Sequence, residues 1–258
     1  MTTQSILPLQ LKAVNFEHRG KRLIKDMTYS FEQGLRTIVI GPNGAGKSLL
    51  LRLCHGLLQP TSGEIVWQGG SGTDVARHQG MVFQRPVMLR RSARANVDYA
   101  LSVRGVPRPT RNVVIDEVLQ RTGLSRFATV PARELSVGEQ QRLALARVWA
   151  LQPQILFLDE PTASLDPPAT HLVEEILEAI HDAGTRIVMT THDLGQARRL
   201  ADDVMFLHRG RMLEHAPAEQ FFEEPQNDLA QAFVRGELLW WHRKHPLHKP
   251  GNRDPYTE

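Results

Sequence analysis

The sequence predicts an α/β fold in which helices cover a mostly parallel β-sheet. Two stretches carry this prediction. A glycine-rich turn at residues 41–48 joins an apolar strand to a helix, and an apolar strand at residues 155–158 ends in two carboxylates. After the second stretch, strands and helices alternate, as they do in parallel sheets with crossover helices. The 258 residues suffice for one large domain or two small ones.

Composition and charge narrow the class of protein. No apolar stretch approaches the ~20 residues of a membrane span, and residues 1–10 lack the pattern of a secretory signal. The single cysteine, Cys54, excludes an intramolecular disulfide, which agrees with a reducing cytosol. The net charge is +3, and the basic residues are not interleaved with aromatic ones. We therefore expect no nucleic-acid partner.

Strands are predicted on both sides of the glycine-rich turn. Residues 9–16 and 26–31 alternate apolar and polar side chains, which is typical of half-buried strands joined by a turn near Gly20. The apolar run at residues 37–40 predicts a buried strand. A helix is predicted from residues 49–53, and further strands at residues 64–67 and 81–83 with a polar connection between them.

The glycine-rich turn has the sequence of a phosphate-binding loop, or P-loop. Glycines let the backbone take positive φ, so that successive N–H groups can face a ligand beside a helix N-terminus. Lys47 can reach the β- and γ-phosphates, and the Ser48 hydroxyl can bind Mg²⁺. A chance glycine-rich turn is the alternative. The residues predicted to bind nucleotide here are Gly41, Pro42, Asn43, Gly44, Ala45, Gly46, Lys47 and Ser48.

A helical insertion at about residues 87–151 interrupts the strand pattern. Apolar spacing predicts helices at residues 93–102, 112–122 and 137–151, and the proline-rich residues 106–109 separate the first two. Ser136 is the predicted N-cap of the third helix. The N-terminus of that helix suits an anion, although an ordinary N-cap has the same pattern.

Asp159 and Glu160 follow the buried strand at residues 155–158. Doubly wound sheets bind ligands at the carboxyl ends of their strands. Asp159 can therefore hold Mg²⁺ through a water, and Glu160 can polarise the water that attacks the γ-phosphate. An acidic turn without function is the alternative. The remaining pattern predicts a helix at 167–182, a strand at 186–190, a helix at 193–201 and a hairpin at 203–208 and 211–215.

The order of these motifs resembles that of ATP-binding cassette (ABC) ATPases. Residues 135–142, Leu-Ser-Val-Gly-Glu-Gln-Gln-Arg, are similar to the family's signature motif, and Gln84 matches its Q-loop glutamine. Asp166 matches the D-loop aspartate, six residues after Glu160, and His192 matches the switch histidine. The resemblance runs from residue 9 to about residue 224. It implies a P-loop NTPase (RecA-like) core with an antiparallel β subdomain and an inserted α-helical signature subdomain.

The resemblance also implies a mechanism that uses ATP and Mg²⁺. Two subunits would pair head to tail, and each ATP would lie between the P-loop of one subunit and Ser136 and Gly138 of the other. Gln84 and His192 would sense the γ-phosphate and the metal, and Asp166 would connect the two sites. The implied catalytic residues are Glu160, His192 and Gln84, and the implied Mg²⁺ ligands are Ser48, Gln84 and Asp159.

One position departs from the family pattern. ABC ATPases usually have an aromatic residue that stacks on adenine in the loop after the first strand. Alignment of the turn before Gly20 places His18 there, whereas alternation directs Phe16 towards the core. We expect His18 to stack on adenine, more weakly than the usual residue would.

The resemblance implies a single ABC ATPase domain over residues 1–241. Its core would comprise about 1–86 and 152–225, its helical subdomain about 87–151, and residues 242–258 would form a disordered tail. The chain has one cassette and no fused membrane span. Its expected partners are therefore a second ATPase subunit, most simply a copy of itself, and separate membrane permease subunits. It would sit at the cytoplasmic face of the inner (plasma) membrane, bound through the permease.

The segment at residues 84–97 bears on the cargo. Its Arg90-Arg91-Ser92 form looks like that of the ATPases of bacterial tungstate importers, with phosphate-type importers close behind. A periplasmic binding protein, an indirect partner, would select the oxyanion. Zinc-ligating cysteines and a second cassette are absent, which argues against the DNA-repair and translation-associated branches. Because the sequence ends soon after the core, we also expect no regulatory domain of the kind that sugar and molybdate importer ATPases have.

Two other classes of function stay open. A P-loop GTPase or small-molecule kinase would share the P-loop, but the sequence lacks an Asn-Lys-x-Asp motif and that class leaves residues 135–140 unexplained. A non-transport cassette that acts on a soluble partner would share every motif. Co-purification with a membrane permease would separate that class from a transporter.

Overall fold

The computed structural model describes residues 5–70 and 72–237, and the strands within these residues form two sheets. Their bounds are β1 (Leu9–His18), β2 (Lys21–Phe31), β3 (Arg36–Ile40), β4 (Ser62–Trp67), β5 (Gln79–Val82), β6 (Ile155–Asp159), β7 (Arg186–Thr190), β8 (Asp203–His208) and β9 (Arg211–Pro217).

Helices connect these strands and form the insertion between β5 and β6. Their bounds are α1 (Lys47–Cys54), α2 (Thr73–Arg77), α3 (Ala93–Val103), α4 (Arg108–Arg121), α5 (Val137–Trp149), α6 (Pro167–Asp182), α7 (Leu194–Leu200), α8 (Ala218–Glu223) and α9 (Asp228–Val234), with a 3₁₀ turn at Ser125–Phe127.

The larger sheet has the strand order β5-β6-β7-β3-β8-β9. Its first five strands are parallel, and β9 closes the edge antiparallel to β8. The smaller sheet, β2-β1-β4, is antiparallel. This architecture confirms the predicted α/β fold, with its antiparallel β-sheet and its helical insertion, here α3–α5.

The parallel strands of the larger sheet are mostly buried on both faces, whereas the edge strand β9 is largely half-buried or exposed. In β6, Leu156 and Leu158 join a core shared with α3–α7, whereas Ile155 and Phe157 join a second core shared with α1 and the smaller sheet. Successive strand residues point to opposite faces. An almost wholly apolar strand is therefore the expected sequence for a sheet covered on both sides.

Several boundaries differ from the sequence prediction, and each has a local cause. Ala13 and Asp26 have positive φ, of 49° and 52°. Asp26 interrupts the alternation where the predicted strand begins, so β2 starts earlier than predicted, at Lys21. Ala13 lies within the predicted part of β1, which continues two residues further, to His18. Helix α4 begins at Arg108, inside the proline-rich stretch, because proline is well tolerated in the first turn of a helix. Helices α2, α8 and α9 have only five to seven residues, too few to show a helical period.

Cys54, in α1, is a buried free thiol. The segment expected to be a disordered tail, residues 242–258, lies outside the described residues. The domain boundaries stay a prediction.

Phe157 provides a test of the packing of β6 in the core shared with α1 and the smaller sheet. Its side chain is 0% exposed, so Phe157→Ala would leave a cavity and lower the free energy of unfolding by about 3–5 kcal/mol. Urea denaturation would measure the loss. Val113→Ala, at a position that is 69% exposed, serves as the control and should change stability by less than about 0.5 kcal/mol. Equal losses in the two variants would contradict this packing.

Candidate phosphate-binding site

The P-loop lies where the carboxyl ends of three parallel strands meet. It connects β3 to α1. Strand β7 pairs with β3 on one side and with β6 on the other, so that Thr190 is level with both Val39 and Asp159. The sequence predicted this edge of the sheet as the ligand-binding edge.

Two glycines allow the loop to pass close to neighbouring strands. Gly41 has φ of 144°, and a Cβ there would lie 2.0 Å from the Leu207 carbonyl oxygen. Gly46 has φ of 104°, and a Cβ there would lie 2.9 Å from the Ile24 side chain. Any larger residue at these positions would push the loop away from β8 or β2.

The N-terminus of α1 opens onto this loop. Gly46 is the N-cap, and in the described part of the chain no side chain caps the helix. The first N–H groups of a helix have no partner within it, and the helix dipole adds partial positive charge at this end. The loop therefore offers backbone donors to an anion.

Lys47 folds back over the P-loop. Its Nζ donates to the carbonyl oxygens of Gly41, at 2.8 Å, and Pro42, at 3.4 Å. The residue is only 6% exposed, and burial lowers the pKa of its ammonium, which the Glu160 and Asp159 carboxylates partly oppose. A bound phosphate would replace weak carbonyl partners with a full negative charge.

Asp159 is a buried carboxylate held by two hydroxyls. Ser48 Oγ donates to its Oδ1 at 2.7 Å, and Thr190 Oγ1 donates to the same oxygen at 3.0 Å. The Ser48 hydroxyl and the Asp159 carboxylate are oxygen donors of the type that Mg²⁺ prefers, beside the loop that would hold phosphates. These residues therefore fit the magnesium site that the sequence predicts.

Glu160 sits between a cation and an imidazole. Its Oε1 is 3.9 Å from Lys47 Nζ, and its Oε2 is 3.3 Å from His192 Nδ1. Its backbone N–H donates to Thr190 Oγ1 at 2.9 Å, and its φ is 46°, which is unusual for a non-glycine residue. The backbone thus turns the carboxylate towards Lys47 and the exposed ring of His192.

Thr190 is a site residue that the sequence analysis did not single out. Its hydroxyl donates to Asp159 and accepts from the backbone of Glu160. The signal available in the sequence was weak: a threonine at the end of an otherwise apolar strand, two residues before His192.

Gln84 and His18 lie on exposed edges of this region. Val82 of β5 pairs with Leu158 of β6, and the strands are parallel. Gln84 and Glu160 each follow two residues later, so both lie beyond the carboxyl ends of these neighbouring strands. His18 pairs with Lys21 next to the turn between β1 and β2, and the following part of β2 contacts the P-loop at Gly46. Both side chains are exposed.

The signature and D-loop residues lie at two other helix N-termini. Ser136 caps α5 in a capping box: its Oγ accepts from the N–H of Glu139 at 3.3 Å, and the Glu139 carboxylate accepts from the N–H of Ser136 at 2.8 Å. Asp166 caps α6 by accepting from the N–H of Ala169 at 2.8 Å. A Cβ on Gly138 would lie 3.1 Å from the Ala169 side chain, so the two helix starts adjoin. The side-chain hydrogen bonds of Ser136 and Asp166 are made within the first turns of α5 and α6.

Comparisons of the sequence with protein-family models and with known proteins point to the same family. A family model described as ABC transporter matches residues 24–163. A phosphate import ATP-binding protein of Natronomonas pharaonis is 36% identical over 252 residues, which are 90% of this chain and 88% of that protein. A tungstate uptake system ATP-binding protein of Peptoclostridium acidaminophilum is 37% identical, over 79% of this chain and 94% of that protein.

Solved structures agree with the sequence relatives. The structure of cbiO1 from Clostridium perfringens, described as part of the ABC transporter complex cbiONQ, superposes with a TM-score of 0.77 at 28% identity. The superposition covers 90% of this chain and 96% of that one. An ATP-binding subunit of an ABC transporter also superposes with a TM-score of 0.77, at 24% identity, which supports the fold alone.

The hydroxyl of Thr190 should stabilise the unliganded site. Thr190→Val keeps the shape of the side chain but leaves the Glu160 N–H without its acceptor and Asp159 with one donor fewer. We expect the free energy of unfolding to fall by about 1–3 kcal/mol in urea denaturation without nucleotide. Thr190→Ser keeps the hydroxyl and is the matched control. A valine variant as stable as the serine variant would show that the hydroxyl contributes nothing here.

Proposed function

The chain belongs to the family of ABC transporter ATP-binding subunits, and we propose that it hydrolyses ATP to power the import of an oxyanion. The observation that carries the proposal is one cluster: Lys47, Ser48 and Asp159 beside the P-loop, with Glu160 held against His192. It combines donors for phosphates, oxygen ligands for Mg²⁺ and a base near the place of the γ-phosphate.

Binding of ATP rests on the P-loop. The free N–H groups at the start of α1 would receive the phosphates, and Lys47 would leave its carbonyl partners to bind the β- and γ-phosphates. Mg²⁺, when bound to Ser48, Asp159 and Gln84, would neutralise charge on the phosphate oxygens. His18, exposed near the β1–β2 turn, is the residue that we propose to stack on adenine.

Hydrolysis needs a base aligned with a water molecule. We propose that Glu160 accepts a proton from water while the water oxygen bonds to the γ-phosphorus, and the bond from that phosphorus to the bridging oxygen of ADP breaks. Lys47 and His192 contact the two carboxylate oxygens of Glu160 and restrict its orientation. His192, whose side chain is 57% exposed, can also contact the γ-phosphate.

A second subunit would complete the site. Ser136 and Asp166 are exposed at adjoining helix starts. A partner related by a two-fold axis could present Ser136 and Gly138 to the P-loop of this subunit, and its α5 N-terminus would face the γ-phosphate. We therefore propose a head-to-tail dimer, formed from two copies of this chain, that closes on ATP.

A permease would bind beside the Q-loop. After Gln84, the segment that ends at Ser92 exposes Val87, Arg90 and Arg91, and the Arg91 guanidinium lies 5.1 Å from the centroid of the exposed Tyr99 ring. No helix in the described residues has the length and apolarity needed to cross a membrane. We propose that separate permease subunits provide the membrane path, and that this chain binds them at the cytoplasmic face of the membrane.

The cargo is proposed as an oxyanion, with tungstate ahead of phosphate. The relatives described above include a tungstate uptake protein and a phosphate import protein. The Arg90-Arg91-Ser92 segment favours tungstate by resemblance. A periplasmic binding protein would select the ion before it reaches the permease.

Glu160→Gln tests the proposed base. The amide cannot accept the proton, so ATP hydrolysis should fall by at least about 100-fold, whereas ATP binding should persist and hold the dimer closed. Phosphate release would measure hydrolysis, and size-exclusion chromatography with ATP would measure dimerisation. Glu219→Gln, on the exposed surface of α8, is the control and should keep wild-type activity. Normal hydrolysis by Glu160→Gln would mean that another group is the base.

Deletion of the gene tests the cargo. Cells that lack this chain should lose high-affinity uptake of tungstate and keep uptake of phosphate, and the wild-type gene should restore the loss. Radiolabelled phosphate and mass-spectrometric tungsten would measure the two separately. Loss of phosphate uptake alone would make phosphate the cargo, and normal uptake of both would reject the oxyanion proposal.

A further inference from the structure

A buried glutamine connects the two loops that carry Glu160 and His192. Gln196 lies on α7 and is 0% exposed. Its side-chain oxygen accepts from Thr162 Oγ1 at 3.0 Å, and its side-chain nitrogen donates to Glu174 Oε1 at 2.9 Å. Both ends of this amide are therefore used, and they reach two different elements.

The Thr162 end belongs to the segment between Glu160 and Asp166. Thr162 is two residues after Glu160, and its carbonyl accepts from the N–H of Leu165 in the turn that leads to Asp166. The position of Thr162 thus affects both the proposed base and the residue proposed to face a partner subunit.

The backbone of Gln196, rather than its side chain, connects to the loop that carries His192. Gln196 is in the first turn of α7, and its own N–H donates to Asp193, which follows His192 directly and caps the helix. The N–H of Asp193 in turn donates to Thr191 Oγ1. A shift of Gln196 would therefore move the backbone that carries His192.

Glu174 on α6 anchors this arrangement. Its carboxylate is buried, and Arg199 of α7 binds both of its oxygens, at 2.8 and 3.0 Å. This charge-assisted pair fixes Glu174, and Glu174 fixes the nitrogen of Gln196. The orientation of the glutamine is thereby determined, with its oxygen directed at Thr162.

We propose that Gln196 is a positioning residue for hydrolysis, which acts through Thr162 to hold the Glu160–Asp166 segment in register with His192. The proposal rests on the proposed ATPase function. Gln196 does not touch the P-loop in the described structure, so its effect should appear in the catalytic rate and not in ATP binding.

Two near-isosteric substitutions test this role. Gln196→Met and Thr162→Val each remove one partner of the same hydrogen bond. Each should lower kcat about fivefold, with the KM for ATP unchanged. The rate is expressed per ATP-binding site, counted by nucleotide titration, so that a misfolded fraction does not lower it. Wild-type protein is measured first, and a wild type without ATPase activity would refute the proposed function instead.

The double variant separates positioning from packing. When both substitutions break the same contact, Gln196→Met with Thr162→Val should be no slower than Gln196→Met alone. Independent effects would multiply to about 25-fold and would overturn the proposal, as would a wild-type kcat in both single variants. Thr162→Ser keeps the hydroxyl and should retain wild-type kcat. The matched control is Gln231→Met, since the amide of Gln231 donates to the Pro225 carbonyl, away from the site.

Discussion

The carboxylate of Asp159 is the group on which the rest of the site depends. It is 5% exposed, and an ionised carboxylate is costly to bury unless hydrogen bonds compensate. The compensation comes from Ser48 on α1 and Thr190 on β7, while Asp159 itself ends β6. One buried charge therefore holds together the helix that begins at the P-loop and two neighbouring strands. The same Thr190 hydroxyl accepts from the backbone N–H of Glu160, so the group that satisfies Asp159 also positions the proposed base.

The parallel sheet makes this convergence possible. Because β3, β6 and β7 run in the same direction, their carboxyl ends deliver the P-loop, the two carboxylates and His192 to one edge. Apolar packing on both faces helps to fix the register of neighbouring strands. Distances near 3 Å between side chains more than 100 residues apart in sequence, such as Ser48 and Asp159, are then a consequence of strand register.

The sequence was informative where chemistry depends on neighbours in the chain. The P-loop, the paired carboxylates and the signature helix are contiguous motifs, and the residues beside them have the expected strand and helix patterns. Thr190 and Gln196 escaped prediction because their roles arise from contacts with Asp159 and Thr162, 31 and 34 residues away. The short helices α2, α8 and α9 were not predicted because packing against the rest of the fold, and not a helical period in their sequences, stabilises them. The prediction for strand β2 was too short because Asp26, which has positive φ, interrupts the alternation of apolar and polar residues.

The cargo is harder to infer than ATP hydrolysis, because the motifs that can be recognised in the sequence lie around the nucleotide site. The roles proposed for the P-loop, Asp159 and Glu160 concern a phosphate, a metal and a proton, and none of these roles depends on what crosses the membrane. A phosphate import protein and a tungstate uptake protein are accordingly about equally similar to this chain, at 36% and 37% identity. Differences that follow cargo should therefore concentrate where the chain would bind the proposed permease. The segment after Gln84 that we propose to bind the permease exposes Val87, Arg90 and Arg91, and it takes no part in the hydrogen bonds that Ser48 and Thr190 donate to Asp159.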